Sequence, residues 1–176
     1  SAGRYGEASE LFDEILRDNP EPLFLFEMLR LLEQSLGSGE QLQAFATELR
    51  ENSPQGLFNT AVQFQLQRDP ARRNFQQENL DEARKFFTLA EQTLETGLQR
   101  NPSAVLLMQL QADYAAEIGK ADQAIELAER ALRLKADFRP AIRTLISVNF
   151  QKRDFARAME VCESALEGRS DDMEMQ

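Results

Sequence analysis

"GKADQAIELAERAL" (residues 119–132) lines up without a gap on "RDFARAMEVCESAL" (residues 153–166), and this match decides how the chain is read. Ala124 falls on Ala158 and Ala131 on Ala165, the same offset in both pairs. The matched positions are small or apolar at helical spacing: Ala124, Ala128 and Ala131 in one stretch, Ala158, Cys162 and Ala165 in the other. Small side chains recurring at helical spacing mark helices packed so closely that little else fits between them.

Working outward, "GRYGEASELFDEIL" (residues 3–16) carries the same frame, with Ala8, Phe12 and Ile15 on the buried stripe and Pro20 as a stop. Apolar helices beginning near Leu23, Leu57, Val105 and Arg139 lie between such segments. The first and last of these three intervals equal the alanine offset, and the middle one is longer. Asn19-Pro20, Ser53-Pro54 and Asn101-Pro102 each end one helix and launch the next, since proline cannot donate a hydrogen bond but suits a first turn. Gly37, Gly39 and Gly119 fall in the tight turns between paired helices. The pattern predicts nine helices, over residues 4–18, 22–36, 40–51, 55–67, 79–100, 103–118, 121–135, 138–152 and 155–167.

A helix-turn-helix repeating every roughly 34 residues, with small side chains at fixed sites and a linking proline, resembles the tetratricopeptide repeat (TPR) family. The resemblance spans essentially the whole chain, with Ala8, Ala124, Ala131, Ala158 and Ala165 at the small sites and Pro20, Pro54 and Pro102 between units. It departs from the family pattern in having no Trp, in Leu42 and Leu49 where small residues are usual, and in Ala136 replacing a linking proline. The fold it implies is all-α: a right-handed α-solenoid of stacked antiparallel helix hairpins. The units would be a half unit at 1–22, units at 23–56, 57–104, 105–138 and 139–172, and the start of another at 173–176. The chain opens at "SAGRYGEA" without Met, and its first helix lacks a partner helix, so it reads as a piece of a longer protein.

The lengthened unit, 57–104, holds "QRDPARRNFQQEN" (residues 67–79). Ala83, Ala90 and Gly97 recur at a spacing of about two helical turns, so they share one face of a single long helix. That places half of the extra length in the second helix and the other half in a widened turn, with Asn79 and Glu82 as a capping box closing it. Arg68, Arg72, Arg73 and Phe75 then form a basic loop, read either as a hold for an acidic partner segment or as a solvated turn paired with local acids.

The resemblance also implies a concave groove lined by the first helices of successive units. Carried onto this chain, the groove presents Phe24, Glu27 and Leu31, then Phe58, Ala61 and Gln65, then Leu106, Gln109 and Asp113, and finally Arg143, Ser147 and Phe150. Such a surface suits an amphipathic helix or extended peptide of a protein partner. An alternative places several of these side chains in the core, one helical step away. The Lys and Asn side chains of the family's carboxylate-clamp members are missing: the matching sites hold Glu27, Leu31, Val62, Leu106 and Leu110.

Composition narrows the function further. Twenty basic against thirty acidic side chains give a net charge of -10, which repels nucleic-acid backbones and anionic membranes. The most apolar stretch, "LFLFEMLRLLEQSL" (residues 23–36), is interrupted by Glu27, Arg30 and Glu33 and falls short of the roughly 20 apolar residues that span a bilayer. There is no histidine and no glycine-rich phosphate loop, so neither the usual catalytic pairs nor a cofactor site is expected. Cys162, the single cysteine, occupies a small packing site and is expected to be buried and inert, and it leaves cytoplasm and periplasm equally open. The expectation is a non-catalytic scaffold for a protein partner, with no cofactor and no metal. Two alternatives stand beside it: self-assembly into homo-oligomers through the end repeats, and an accessory domain of a larger enzyme or secretion or assembly protein.

Overall fold

The computed structural model describes residues 2–36 and 39–174, all of them in helices or short connections, with no strand among them. The helices are α1 (Ala2–Asp18), α2 (Pro22–Leu36), α3 (Gly39–Asn52), α4 (Leu57–Gln76), α5 (Leu80–Arg100), α6 (Val105–Glu117), α7 (Ala121–Leu134), α8 (Arg139–Gln151) and α9 (Phe155–Glu174). Gly37 and the side chains of Ala8 and Leu42 lie outside the described residues, and Gly39 begins α3 instead of standing in the turn. The α9 helix continues past 167, through residues expected to start another unit, because no proline follows to stop it. The chain divides into two compact units, Ser1–Leu107 and Met108–Gln176.

The connections repeat in two kinds. In the connections α4–α5, α6–α7 and α8–α9 one residue adopts a left-handed conformation: Glu78 at φ 62°, Gly119 at φ 80° and Arg153 at φ 61°. The next amide reaches back along the helix, Asn79 to the Asn74 carbonyl, Lys120 to Ala115 and Asp154 to Asn149, at 2.8 to 2.9 Å. This is a Schellman end, which satisfies carbonyls the helix would otherwise leave open. Only Gly119 adopts that conformation without steric cost, and a Cβ there would meet open space.

In the connections α3–α4, α5–α6 and α7–α8 a β-turn recurs. The amides of Gly56, Ala104 and Phe138 donate to the carbonyls of Ser53, Asn101 and Lys135, at 3.0 to 3.1 Å. The turn starts Ser53, Asn101 and Lys135 repeat the spacing of the apolar segments, one long interval followed by one of ordinary length. Pro54 and Pro102 occupy the second turn position and not the first turn of a helix, so α4 and α6 begin at Leu57 and Val105, just after the expected starts at 55 and 103. Ala136 takes that place in the third turn, and its backbone folds as the prolines do.

The extra length of the α4–α5 pair divides differently from the sequence expectation. The α4 helix has 20 residues against 13 in α6 and in α8, and α5 has 21 against 14 in α7, so both helices of the hairpin are lengthened equally. Residues 68–76 are therefore helix, and the expected widened basic loop is a turn of ordinary length at 77–79. Pro70 sits inside α4, where it removes one intrahelical hydrogen bond. Packing on α5 outweighs that loss: Phe64 and Ala71, two helical turns apart, are both buried, opposite the buried series Ala83, Ala90 and Gly97. Thr93 donates to Gln67 Oε1 at 2.7 Å, and the Phe75 and Phe87 rings meet edge to face at 6.3 Å. The expected capping box is absent. The Asn79 side chain makes no cap bond, and Glu82 instead accepts from Lys85 one helical turn on.

In the first unit, Phe58 is the centre of an aromatic cluster with Phe12 at 4.6 Å and Phe45 at 6.4 Å. Asp13 of α1, itself buried, accepts the Phe58 amide and so caps α4 from outside the helix. In the second unit, Ala115, Ala124 and Val148 bring α6, α7 and α8 together, with Ala116, Ala121 and Ile125 around them. Of the small sites, Ala124, Ala128, Ala131 and Ala158 are buried and Ala165 is half-buried.

Candidate functional site

The groove residues expected from the family frame separate into two sets. Phe58, Ala61, Leu106 and Gln109 are buried and belong to the core. The reason is that α4 is covered on every side from Leu57 to Val62, and α6 from Leu106 to Ala112, so neither helix base has an open face. The sequence marks an apolar stripe on each helix but carries no sign of which further elements will close over it. Phe24, Glu27, Leu31, Arg143, Ser147 and Phe150 are at least partly open to solvent, as are Gln65 and Asp113.

In the first unit, α2 presents the apolar side chains Leu23, Phe24 and Leu31, exposed to 66%, 41% and 50%. Glu27 lies between them, held by two hydrogen bonds from Arg30, one of them Nε to Oε2 at 2.9 Å. The Arg30 guanidinium draws the Glu27 carboxyl below its ordinary value and is itself raised by that carboxylate. Both side chains are solvent-exposed, so the pair orders the surface more than it stabilises the fold.

Beside this pair is a cleft of 270 Å³ between α2 and α4. Phe26, Leu29 and Arg30 line it from α2; Gln65, Arg68, Asp69 and Arg72 line it from α4. Residues 65, 68, 69 and 72 are spaced as one face of a helix, and 26, 29 and 30 likewise. Arg68 stands over the Phe64 ring at 5.8 Å, and Gln65 donates to Asp69 at 2.9 Å. Sequence reading placed Arg68 and Arg72 in a loop with Arg73 and Phe75. On a helix they part: Arg68 and Arg72 turn to the cleft, while Phe75 packs on Phe87 at the hairpin tip. Phe26, Leu29 and Arg30 were missed as site residues, although the i, i+3, i+4 spacing of the three was a readable signal.

In the second unit, the residues expected in the groove form a polar network. Gln109 Nε2 donates to Asp113 at 2.7 Å and to Thr144 at 2.8 Å, tying α6 to α8. Gln109 Oε1 is buried without a hydrogen-bond partner. Arg157 of α9 bridges Glu129 of α7 and Glu160, and these carboxylates raise its already high pKa. Phe150 meets Phe155 edge to face at 5.3 Å, and both remain more than half exposed, as do Met159 and Leu166 of α9. A second cleft of 430 Å³ runs beside Leu132, Ile142, Val161 and Ala165. Cys162, expected to be buried, is half-exposed, because the outer side of α9 is open.

Among the described residues no helix is long and apolar enough to cross a membrane, and no group of three or more Cys, Asp or Glu is placed to hold a metal ion. Compared with models of protein families and with curated proteins, the chain matches none.

Proposed function

We propose that the chain is a TPR-like α-solenoid acting as a non-catalytic scaffold, which captures a helix or peptide of a protein partner on the exposed face of its first helices. The carrying observation is the recurrence of one inter-hairpin β-turn at Ser53, Asn101 and Lys135, in step with the repeat of the apolar segments. Neighbouring turns in the first unit are tied by Asn101 Nδ2 to the Gln55 carbonyl at 3.2 Å, as stacked hairpins require. In the second unit the first helices α6 and α8 are joined through Gln109 and Thr144, and the second helices α7 and α9 through Glu129 and Arg157. Stacking of this kind leaves α2 with an exposed face on which a ligand can seat. Phe24 and Leu31 supply the apolar anchors such a surface needs.

The test is selection of a displayed random-peptide library on the chain. Peptides that bind and are lost on Phe24→Ser with Leu31→Ser, at unchanged helicity, support the reading. Failure to select any peptide, or selected peptides indifferent to both substitutions, overturns it.

A second reading, self-association, rests on Phe150, Phe155, Met159 and Leu166, a concentration of exposed apolar side chains on α8 and α9. Light scattering decides it: a dimer converted to monomer by Met159→Glu with Leu166→Glu favours this reading, and a monomer at all concentrations removes it.

A further inference from the structure

We propose that α9 pairs antiparallel with α9 of a second copy of this chain, about a two-fold axis between Glu160 and Val161. This rests on the self-association reading and deepens it by fixing the direction and register of the contact. Phe155, Met159, Cys162 and Leu166 are spaced by four, three and four residues, so they form one row along α9. Phe155, Met159 and Leu166 are more than half exposed and Cys162 is half-exposed, and Phe150 of α8 extends the row through its contact with Phe155.

The repeat marks this row as an interface. At the offset that aligns residues 119–132 with 153–166, it falls on Ala121, Ile125, Ala128 and Leu132 of α7, and Phe150 falls on Ala116 of α6. Ala116, Ala121 and Ile125 pack against the cluster that holds Val148, so α8 covers there what is open on α9. Phe150 and Phe155, however, put two phenyl rings where α8 meets two methyl groups, and a helix shaped like α8 cannot seat at that depth. A raised row suits a second raised row. The four-three-four spacing reads the same in both directions, so an antiparallel copy matches every member at once: Phe155 meets Leu166 and Met159 meets Cys162, each twice. Charge selects that direction. Arg153 and Glu163 are both exposed and make no ion pair among the described residues. A parallel pair would set each beside its own copy, whereas the antiparallel pair turns Arg153 toward the Glu163 end of the other chain. Glu160, next to the axis, is already held by Arg157. Phe150, Phe155, Met159 and Leu166 offer roughly 400 Å² per copy, about half of a standard interface, so the dimer is weak and grows with concentration.

Sedimentation of the chain should show such a dimer, and Phe155→Ala should weaken it about tenfold at unchanged helicity. Cys162 is the only cysteine, so Cys162→Ala gives a background in which new thiols report the pairing. In that background Phe155→Cys and Leu166→Cys chains, mixed and oxidised, should join to each other, because residues 155 and 166 meet across the axis. Neither should join to itself, since two copies of residue 155 stand roughly 16 Å apart along the pair. A Phe155→Cys chain joined to itself marks a parallel pair and overturns the proposal, as does a dimer that Phe155→Ala leaves intact or that yields no mixed cross-link. In those cases self-association stands and the pairing falls. A monomer at every concentration removes both.

Discussion

Asp13 Oδ1 accepts the backbone N–H of Phe58 at 2.7 Å, so a carboxylate of α1 caps α4 from a distant part of the chain. The residue before α4 is Gly56, which has no side chain to do this itself. A Cβ at Gly56 would stand 2.7 Å from Ser53 Oγ and 2.8 Å from Asp13 Oδ2, so the glycine leaves room for the carboxylate that replaces it as a cap. A negative group at a helix start is favoured by the helix dipole and satisfies one of its open amides.

Asp13→Ala should therefore lower the unfolding free energy by about 1 to 3 kcal/mol, the usual cost of leaving a buried donor unsatisfied. Asp13→Asn keeps an acceptor and should cost less. Urea unfolding of the three chains measures both, and equal stability of Asp13→Ala and the parent chain would refute the cap.

Gly97 of α5 is buried against α4, where a Cβ would come within 2.5 Å of Thr60 Cγ2. Gly97→Ala should destabilise by about 1 to 3 kcal/mol through overpacking. Thr60→Ser removes that methyl while keeping the hydroxyl bond to the Gly56 carbonyl, and should rescue the alanine. A double-mutant cycle should give a favourable coupling of about 1 kcal/mol or more; additive effects would show that the two residues do not meet.

The equal division of the long hairpin has a consequence for deletions. Gly97 faces Thr60, Thr93 bonds Gln67, and Phe87 meets Phe75, so the two helices run antiparallel in fixed register. Removing residues 71–77 together with 80–86 shortens both sides equally and should leave a folded hairpin of ordinary length. Removing either segment alone offsets the Schellman turn and should cause a large loss of thermal stability. Circular dichroism melts separate these outcomes, and a single deletion as stable as the double one would contradict the register.

The Glu27 carboxyl lies below its ordinary value of 4.5, chiefly because Arg30 hydrogen-bonds it, with desolvation opposing and Coulomb attraction to the same guanidinium adding to the fall. A depressed carboxyl contributes in the pH range above its unfolded value, and that contribution is lost as the pH falls through the lower folded value. The pair is exposed, so global stability should scarcely follow it. Side-chain NMR should find the Glu27 midpoint below 4.5, returning toward it in Arg30→Gln.

The sequence by itself determined that the chain is helical and where most of its connections fall. Small residues at a constant period, with prolines and a glycine between them, act through local sterics, and local sterics are written in local sequence. Even Ala136, which breaks the proline pattern, occupies a turn of the same form, because the spacing of the flanking helices sets it. Tertiary structure alone decided the rest. Pro70 falls in the loop expected from the sequence, yet α4 passes through it, since the buried Ala71 and the Thr93–Gln67 bond offset one lost hydrogen bond. That continuation moved Arg68 and Arg72 from an expected loop to a helix face opposite Arg30. Phe58 and Leu106 read as groove, with the core as the alternative, because an apolar side chain records that it will be covered and not by what. Asp13 gave no sign of its role, since the amide it caps is brought to it only by the packing of α1 on α4.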